Sequence, residues 1–201
     1  LAAVEKDGVI IPKIKISENA QVYGNSGYAA ICAGNGVSIT GGTVNITASE
    51  DVAIWSSTDV EIYGSGTIVN TFIEDANEEI VYSFRGIGAE NSVTIDGSRI
   101  NAGTIDGLSI WSNSSEGETV ISNSIVNAYA GESKNYSAIY CVGNLEVENS
   151  WMRADGVYAT APSITDSVFI DENTGLVSGN YALTADQEIC QNETVTIPED
   201  A

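Results

Sequence analysis

Three large aromatic residues each follow an apolar residue in similar surroundings: Ala53-Ile54-Trp55, Ser109-Ile110-Trp111 and Ala138-Ile139-Tyr140. Flat rings exposed together on one face offer an apolar surface to the C–H faces of sugar rings, so Trp55, Trp111 and Tyr140 are candidate stacking residues for a polysaccharide. The alternative is that they are edge packing or lie under an insertion. Asp51, Asp106 and Asp155 fall shortly before comparable apolar positions, and Glu74, Asp75, Glu78 and Glu79 crowd a single segment. Carboxylates gathered on one side repel unless solvent or a hard cation screens them, and calcium is the cation that takes several flexible oxygen ligands. The three aspartates are therefore candidate calcium ligands. No calcium-loop consensus accompanies them, which leaves a solvated acidic face as the alternative.

The chain has no histidine, so its commonest choice of general base is missing. A lyase would need acids around calcium beside a basic residue that removes the proton. Arg85, at the end of the acidic segment, is placed for that, or for a local ion pair. A glycosidase would need two facing carboxylates at a set separation, which a sequence does not show. The balance favours a protein without catalysis. Cys32, Cys141 and Cys190 are odd in number, far apart and outside any metal-ligand spacing, so a disulfide framework is not expected and buried filler is.

The elements that must position these residues are announced by a repeat. Six segments share a template in which an apolar pair at alternate positions is followed by Gly, Asn or Asp, then a small residue, then a further apolar position. They begin at Val37, Val60, Val93, Thr119, Leu145 and Pro162, with an imperfect earlier copy from Ile14 through Ile16 to Val22. The central apolar residues are Ile16, Ile39, Ile62, Ile95, Ile121, Val147 and Ile164, and the intervals between them are 23, 23, 33, 26, 26 and 17 residues. Alternation at period 2 marks half-buried strands, and copies in tandem without helices between them point to strands stacked as coils. The fold class expected is all-β: a right-handed parallel β-helix, a solenoid of about seven coils, with an insertion in the 33-residue interval.

Gly41, Gly64, Gly97, Asn123, Asn149 and Asp166 share one template position, and these are the residue types that tolerate positive φ at a corner. Ser98, Ser124, Ser150 and Ser167 follow, with Gly42 in the equivalent place, as a stack of small residues where backbones approach closely. A second inward ladder is expected at Ile31, Ile54, Ile87, Ile110, Ile139 and Tyr158. The residues after it, Cys32, Trp55, Gly88, Trp111, Tyr140 and Ala159, should then point outward. Coils about 4.8 Å apart would separate Trp55 from Trp111 by roughly 10 Å, near the repeat of a β-1,4-linked disaccharide. One domain is expected over residues 1–201: an N-terminal cap at 1–13, coils at 14–171, and a C-terminal cap at 172–201 whose strand Glu193 to Ile197 packs on the last coil.

The run from Val37 through Gly41-Gly42 to Ala48, followed by Glu50-Asp51, resembles bacterial cell-surface β-helix proteins that bind carbohydrate and share the pectate-lyase-like fold. The likeness is close over about 25 residues and loose over residues 28–171. It implies binding of cellulose or acidic sugars, with calcium in some members. Glu50-Asp51-Val52 lacks the glycine that usually follows the acidic pair, while Asp106-Gly107 and Asp155-Gly156 keep an Asp-Gly pair.

Composition narrows the partners. Seven Lys and Arg against 28 Asp and Glu give a net charge of −21, which repels nucleic-acid phosphates and anionic membrane surfaces. With 43% hydrophobic and 17% charged residues, the acidity decorates a cored protein and does not mark a disordered tail. The apolar runs are too short to span a bilayer. Leu1 is neither an initiator nor a signal-peptide start, so the chain reads as a mature or trimmed segment of an extracellular or cell-surface protein. The leading expectation is a secreted or surface-attached bacterial module that binds a polysaccharide, glucan or acidic glycan, without catalysis. A calcium-dependent β-helix lyase or hydrolase acting on acidic polysaccharide is one alternative, and a structural or adhesive stalk segment is another.

Overall fold

Alternation of apolar and polar residues makes strands of nearly every repeat, and their apolar faces meet in one core. A computed structural model describes residues 13–131 and 136–171, together with the backbone of strands Ala2–Ala3, Leu176–Ser178, Gln187–Ile189 and Glu193–Val195. Three ladders of parallel strands run through the described residues. The first holds Ile31–Ala33, Val52–Ser56, Arg85–Ala89, Ile110–Ser112 and the start of Ile139–Glu148. The second holds Ile14–Ser17, Val37–Thr40, Asp59–Tyr63, Ser92–Asp96, Glu118–Ser122 and the end of Ile139–Glu148. The third runs from Gln21–Ser26 through Thr43–Ala48, Ile68–Asn70, Arg99–Gly103, Ile125–Tyr129 and Trp151–Ala154 to Val168–Asp171.

The second ladder has the register that the template anticipates: Ile16, Ile39, Ile62, Ile95, Ile121, Val147 and Ile164 are successive Cα partners. The side chains from Ile39 to Val147 in that series are fully buried. Each such burial is worth about 1.5–3 kcal/mol relative to exposure, which is why apolar residues recur at this position.

The expected right-handed parallel β-helix, an open solenoid of about seven coils, is corrected by how the ladders join. Ile139–Glu148 is one ten-residue strand. Ile139, Tyr140 and Cys141 pair with Ile110, Trp111 and Ser112 of the first ladder, and residues from Asn144 to Glu148 pair with Glu118 to Ser122 of the second. Two columns that the repeat presents as separate faces are thus one hydrogen-bonded sheet. Ten of its parallel strands surround a single axis over 314° and form a nearly closed barrel. A repeat of apolar positions reports which residues pair from copy to copy. It carries no signal for whether two ladders stay separate, and here the absence of a corner within Ile139–Glu148 decides that they do not.

The corners rest on hydrogen bonds more than on small size. Asn123, Asn149 and Asp166 adopt φ of 50°, 43° and 45°, as the template position requires. Directly after each corner, a buried serine oxygen accepts the amide of the serine one repeat earlier: Ser98 N–H to Ser124 Oγ at 3.1 Å, Ser124 N–H to Ser150 Oγ at 3.1 Å, and Ser150 N–H to Ser167 Oγ at 3.0 Å. The hydroxyls of Ser150 and Ser167 donate in turn to the carbonyls of Glu148 and Thr165, each at 2.7 Å. Serine suits this position because it supplies both a donor and an acceptor in a space with no water.

The outer side of the third ladder carries an asparagine column. Asn70 donates through Nδ2 to Asn45 Oδ1, Asn101 to Asn70 at 2.8 Å, and Asn127 to Asn101 at 3.0 Å. An amide has one donor end and one acceptor end, so identical side chains in register bond head to tail along a stack.

The 33-residue interval contains the expected insertion, folded as an antiparallel hairpin of Phe72–Glu74 and Ile80–Tyr82. Asp75 accepts the amides of Glu79 at 3.0 Å and Asn77 at 2.8 Å, which closes the turn and lowers the Asp75 pKa. The strand expected at Glu193 to Ile197 is present as Glu193–Val195 and pairs antiparallel with Gln187–Ile189. Most of both expected caps, 1–13 and 172–201, lies outside the described residues, as does Cys190.

Candidate ligand-binding surface

The first ladder aligns Cys32, Trp55, Gly88, Trp111, Tyr140 and Tyr158 as successive Cα partners. Sequence alignment of the repeats places Tyr158 inward and Ala159 outward. In the structure Val157 takes the inward place opposite Ile139, and Tyr158 is half-exposed and stacked on Tyr140 with centroids 4.8 Å apart. Anchoring the alignment on Val157 would have found it. The short 17-residue interval and the bulge between Cys141 and Asn144 hid that register.

Trp55 and Trp111 are closer than the expected 10 Å, and they are not a pair of open platforms. Gly88 lies between them in the ladder, and a Cβ on it would fall 2.2 Å from Cε2 and Cζ2 of Trp111. The indole of Trp111 leans over this missing side chain and stacks on Trp55, with centroids 5.8 Å apart and planes 21° from parallel. Trp111 is 4% exposed and forms a small apolar cluster with Val52 and Leu108, against which Trp55 and Tyr140 pack. Most of its ring surface is spent inside the protein.

The candidate acids are divided between two places. Asp106, nearly buried, accepts a charged hydrogen bond from Arg85 Nε at 3.0 Å, and the Arg85 guanidinium rests 5.3 Å from the centre of the Phe84 ring. Asp51 lines a cleft of about 220 Å³ with Val52, Trp55, Arg85, Trp111 and Asn113. Asp155 accepts the Ala130 amide at 3.1 Å and faces a different groove. Glu74, Asp75, Glu78 and Glu79 belong to the hairpin and its turn. Among the described residues, no three His, Cys, Asp or Glu side chains assemble as a metal-binding group. Lys13 and Glu61 form an ion pair on the outer side of the second ladder.

The two described thiols are free. Burial raises the pKa of Cys141, against the opposing hydrogen bonds of Thr119 and Ser112. Partial burial and the Asp51 charge raise that of Cys32. Neither thiol is poised as a nucleophile, since both are held further toward the protonated form at neutral pH.

No family model, curated protein or solved structure matches this chain. The resemblance to cell-surface, pectate-lyase-like β-helix proteins is corrected by the sheet itself. The residues that carried it are corner and core positions, which any tandem parallel repeat requires, and the sheet they build is the nearly closed barrel. The two functions drawn from that fold are corrected with it, both the polysaccharide-binding module and the calcium-dependent lyase or hydrolase. Trp111 is buried and Arg85 is paired with Asp106, so neither of these two candidates is free for the role the sequence assigns it. No feature of the described structure identifies a polysaccharide or any other partner.

Proposed function

We propose that this chain is a shape-holding structural module whose work is mechanical: it keeps a fixed form under load and holds its outer surface in register. The observation that carries this reading is the continuity of its side-chain hydrogen bonding. The serine column joins four successive repeats and the asparagine column joins an overlapping four, in addition to the strand pairing. They add to the resistance of each repeat against sliding on, or peeling from, the next.

The charge of −21 supports the same reading, because like-charged copies repel and a stiff acidic body stays dispersed. The extracellular or cell-surface setting expected from the sequence belongs to this proposal.

Pulling the full chain by its two ends tests it. Repeats locked to their neighbours should release one after another, and a 26-residue repeat should lengthen the chain by roughly 90 Å at 3.3–3.6 Å per residue. The record expected is a series of force peaks with increments of that order. Smooth extension at low force without peaks would overturn the mechanical reading.

A further inference from the structure

A groove of about 480 Å³ opens between the inserted hairpin and the repeats that follow it, lined by Tyr82, Thr104, Ile105, Tyr129, Gly131 and Asp155. Its volume falls in the range of small-molecule sites. The walls are held in place by the backbone. Tyr82 closes the hairpin, meets the Phe72 ring at 5.9 Å, and lies against Gly103, where a Cβ would come within 2.6 Å of its Cδ1. A parallel bridge between Ser83 and Thr104 ties the hairpin to the groove floor. The Tyr129 carbonyl accepts the Thr104 amide at 3.1 Å, so the strand carrying the second tyrosine is fixed as well. Gly131, at φ +64°, allows the Thr104 carbonyl an approach that a side chain would block, since a Cβ there would lie 2.3 Å from that oxygen.

The chemistry of the lining selects one class of ligand. Tyr82 and Ile105 are 37% and 46% exposed, so the groove offers an aromatic and an aliphatic surface to solvent. Asp155 adds a carboxylate oriented by its bond from the Ala130 amide. An anion would meet the carboxylate and a net charge of −21. A bare metal ion would gain nothing from the apolar walls, and a neutral apolar molecule would gain nothing from Asp155. A cation whose charge is spread over an alkylated ammonium group gains from all three, because tyrosine faces attract it through the ring quadrupole while its methyl groups pack against Ile105. We infer that this groove binds an organic ammonium ion through Tyr82, Tyr129 and Asp155.

Choline and its uncharged isostere 3,3-dimethylbutan-1-ol differ by one charge at nearly constant shape, and titrating each into the isotopically labelled full chain, followed by amide chemical shifts, tests the inference. Choline should shift the amides of the groove residues and bind about tenfold or more tightly than the alcohol, an advantage of the size that ring faces give a desolvated cation. Asp155→Asn keeps an acceptor for the Ala130 amide and should weaken choline severalfold while leaving the alcohol unchanged. Tyr82→Leu, on the partly exposed hairpin, should do the same if Asp155→Asn disturbs the fold. Equal binding of the two probes, shifts confined to residues outside the groove, or no shifts from choline would each overturn the inference. The mechanical proposal stands or falls separately, since these experiments do not load the chain.

Discussion

Replacing Ile95 by alanine should lower the stability of the folded chain by about 2–5 kcal/mol, the cost of deleting buried methyl groups from a site that does not collapse. Ile95 is fully buried, and its Cα partners are Ile62 on one side and Ile121 on the other, so neither neighbour can close the gap without leaving its own register. The urea midpoint should fall while the dependence of stability on urea stays the same, because the surface exposed on unfolding hardly changes. Ile16→Ala provides the comparison. Ile16 stands at the start of the same column, has Ile39 as its partner there and is 6% exposed, so its loss should cost distinctly less.

Gly88→Ala should cost about 1–3 kcal/mol, the usual penalty for overfilling a packed site, although alanine is ordinarily acceptable in a strand. The added methyl would occupy the space of the Trp111 ring, 2.2 Å from its nearest atoms. The indole must then swing toward solvent, break its stack on Trp55 and leave the cluster with Val52 and Leu108. Tryptophan emission should shift to longer wavelength along with the loss of stability. Gly27→Ala serves as the control, since a Cβ there meets nothing within 4 Å and both quantities should stay as they are. In a Gly88→Ala, Trp111→Val double variant the clash is absent, so the two costs should be clearly less than additive. Additive costs would mean that Gly88 is not what holds the indole in place.

The same two positions show how far the sequence is legible. Ile95 is readable from sequence because burial on a strand leaves a mark at period 2, and the mark recurs in every copy of the repeat. The corner residues are readable for a similar reason: positive φ restricts Asn123, Asn149 and Asp166 to a small set of types. Trp111 is misread, since alternation places it outward, where the main chain does direct it. Its ring then folds back over Gly88, and a side-chain rotation of that kind leaves no periodic trace. Asn45, Asn70, Asn101 and Asn127 recur in register, yet a polar residue on the outer side of a strand reads the same in sequence whether it meets water or its counterpart in the next repeat. The joining of two ladders by Ile139–Glu148 was beyond reach for a different reason. It depends on the absence of a corner in the last two copies of the repeat, Ile139–Glu148 and Val157–Thr165, and Gly143 stands in the first of them as if to make one.

The pairing of Asp106 with Arg85 illustrates a further limit. Sequence places an acid before the apolar anchor and a base after the acidic insertion, 21 residues apart, without showing that register brings them within 3.0 Å. The charge that could have held a cation or moved a proton is instead taken up by an ion pair whose acid is buried and whose base is partly exposed.

The central claim is that the first and second ladders are one sheet, joined through Ile139–Glu148, and native-state amide hydrogen exchange in low concentrations of urea tests it most directly. If the sheet is continuous, the slowest amides of Val52–Ser56 and Arg85–Ala89 should share one opening free energy with those of Asp59–Tyr63 and Ser92–Asp96, and respond to urea with the same slope. Two separate opening energies, with one ladder exchanging while the other stays protected, would contradict the claim.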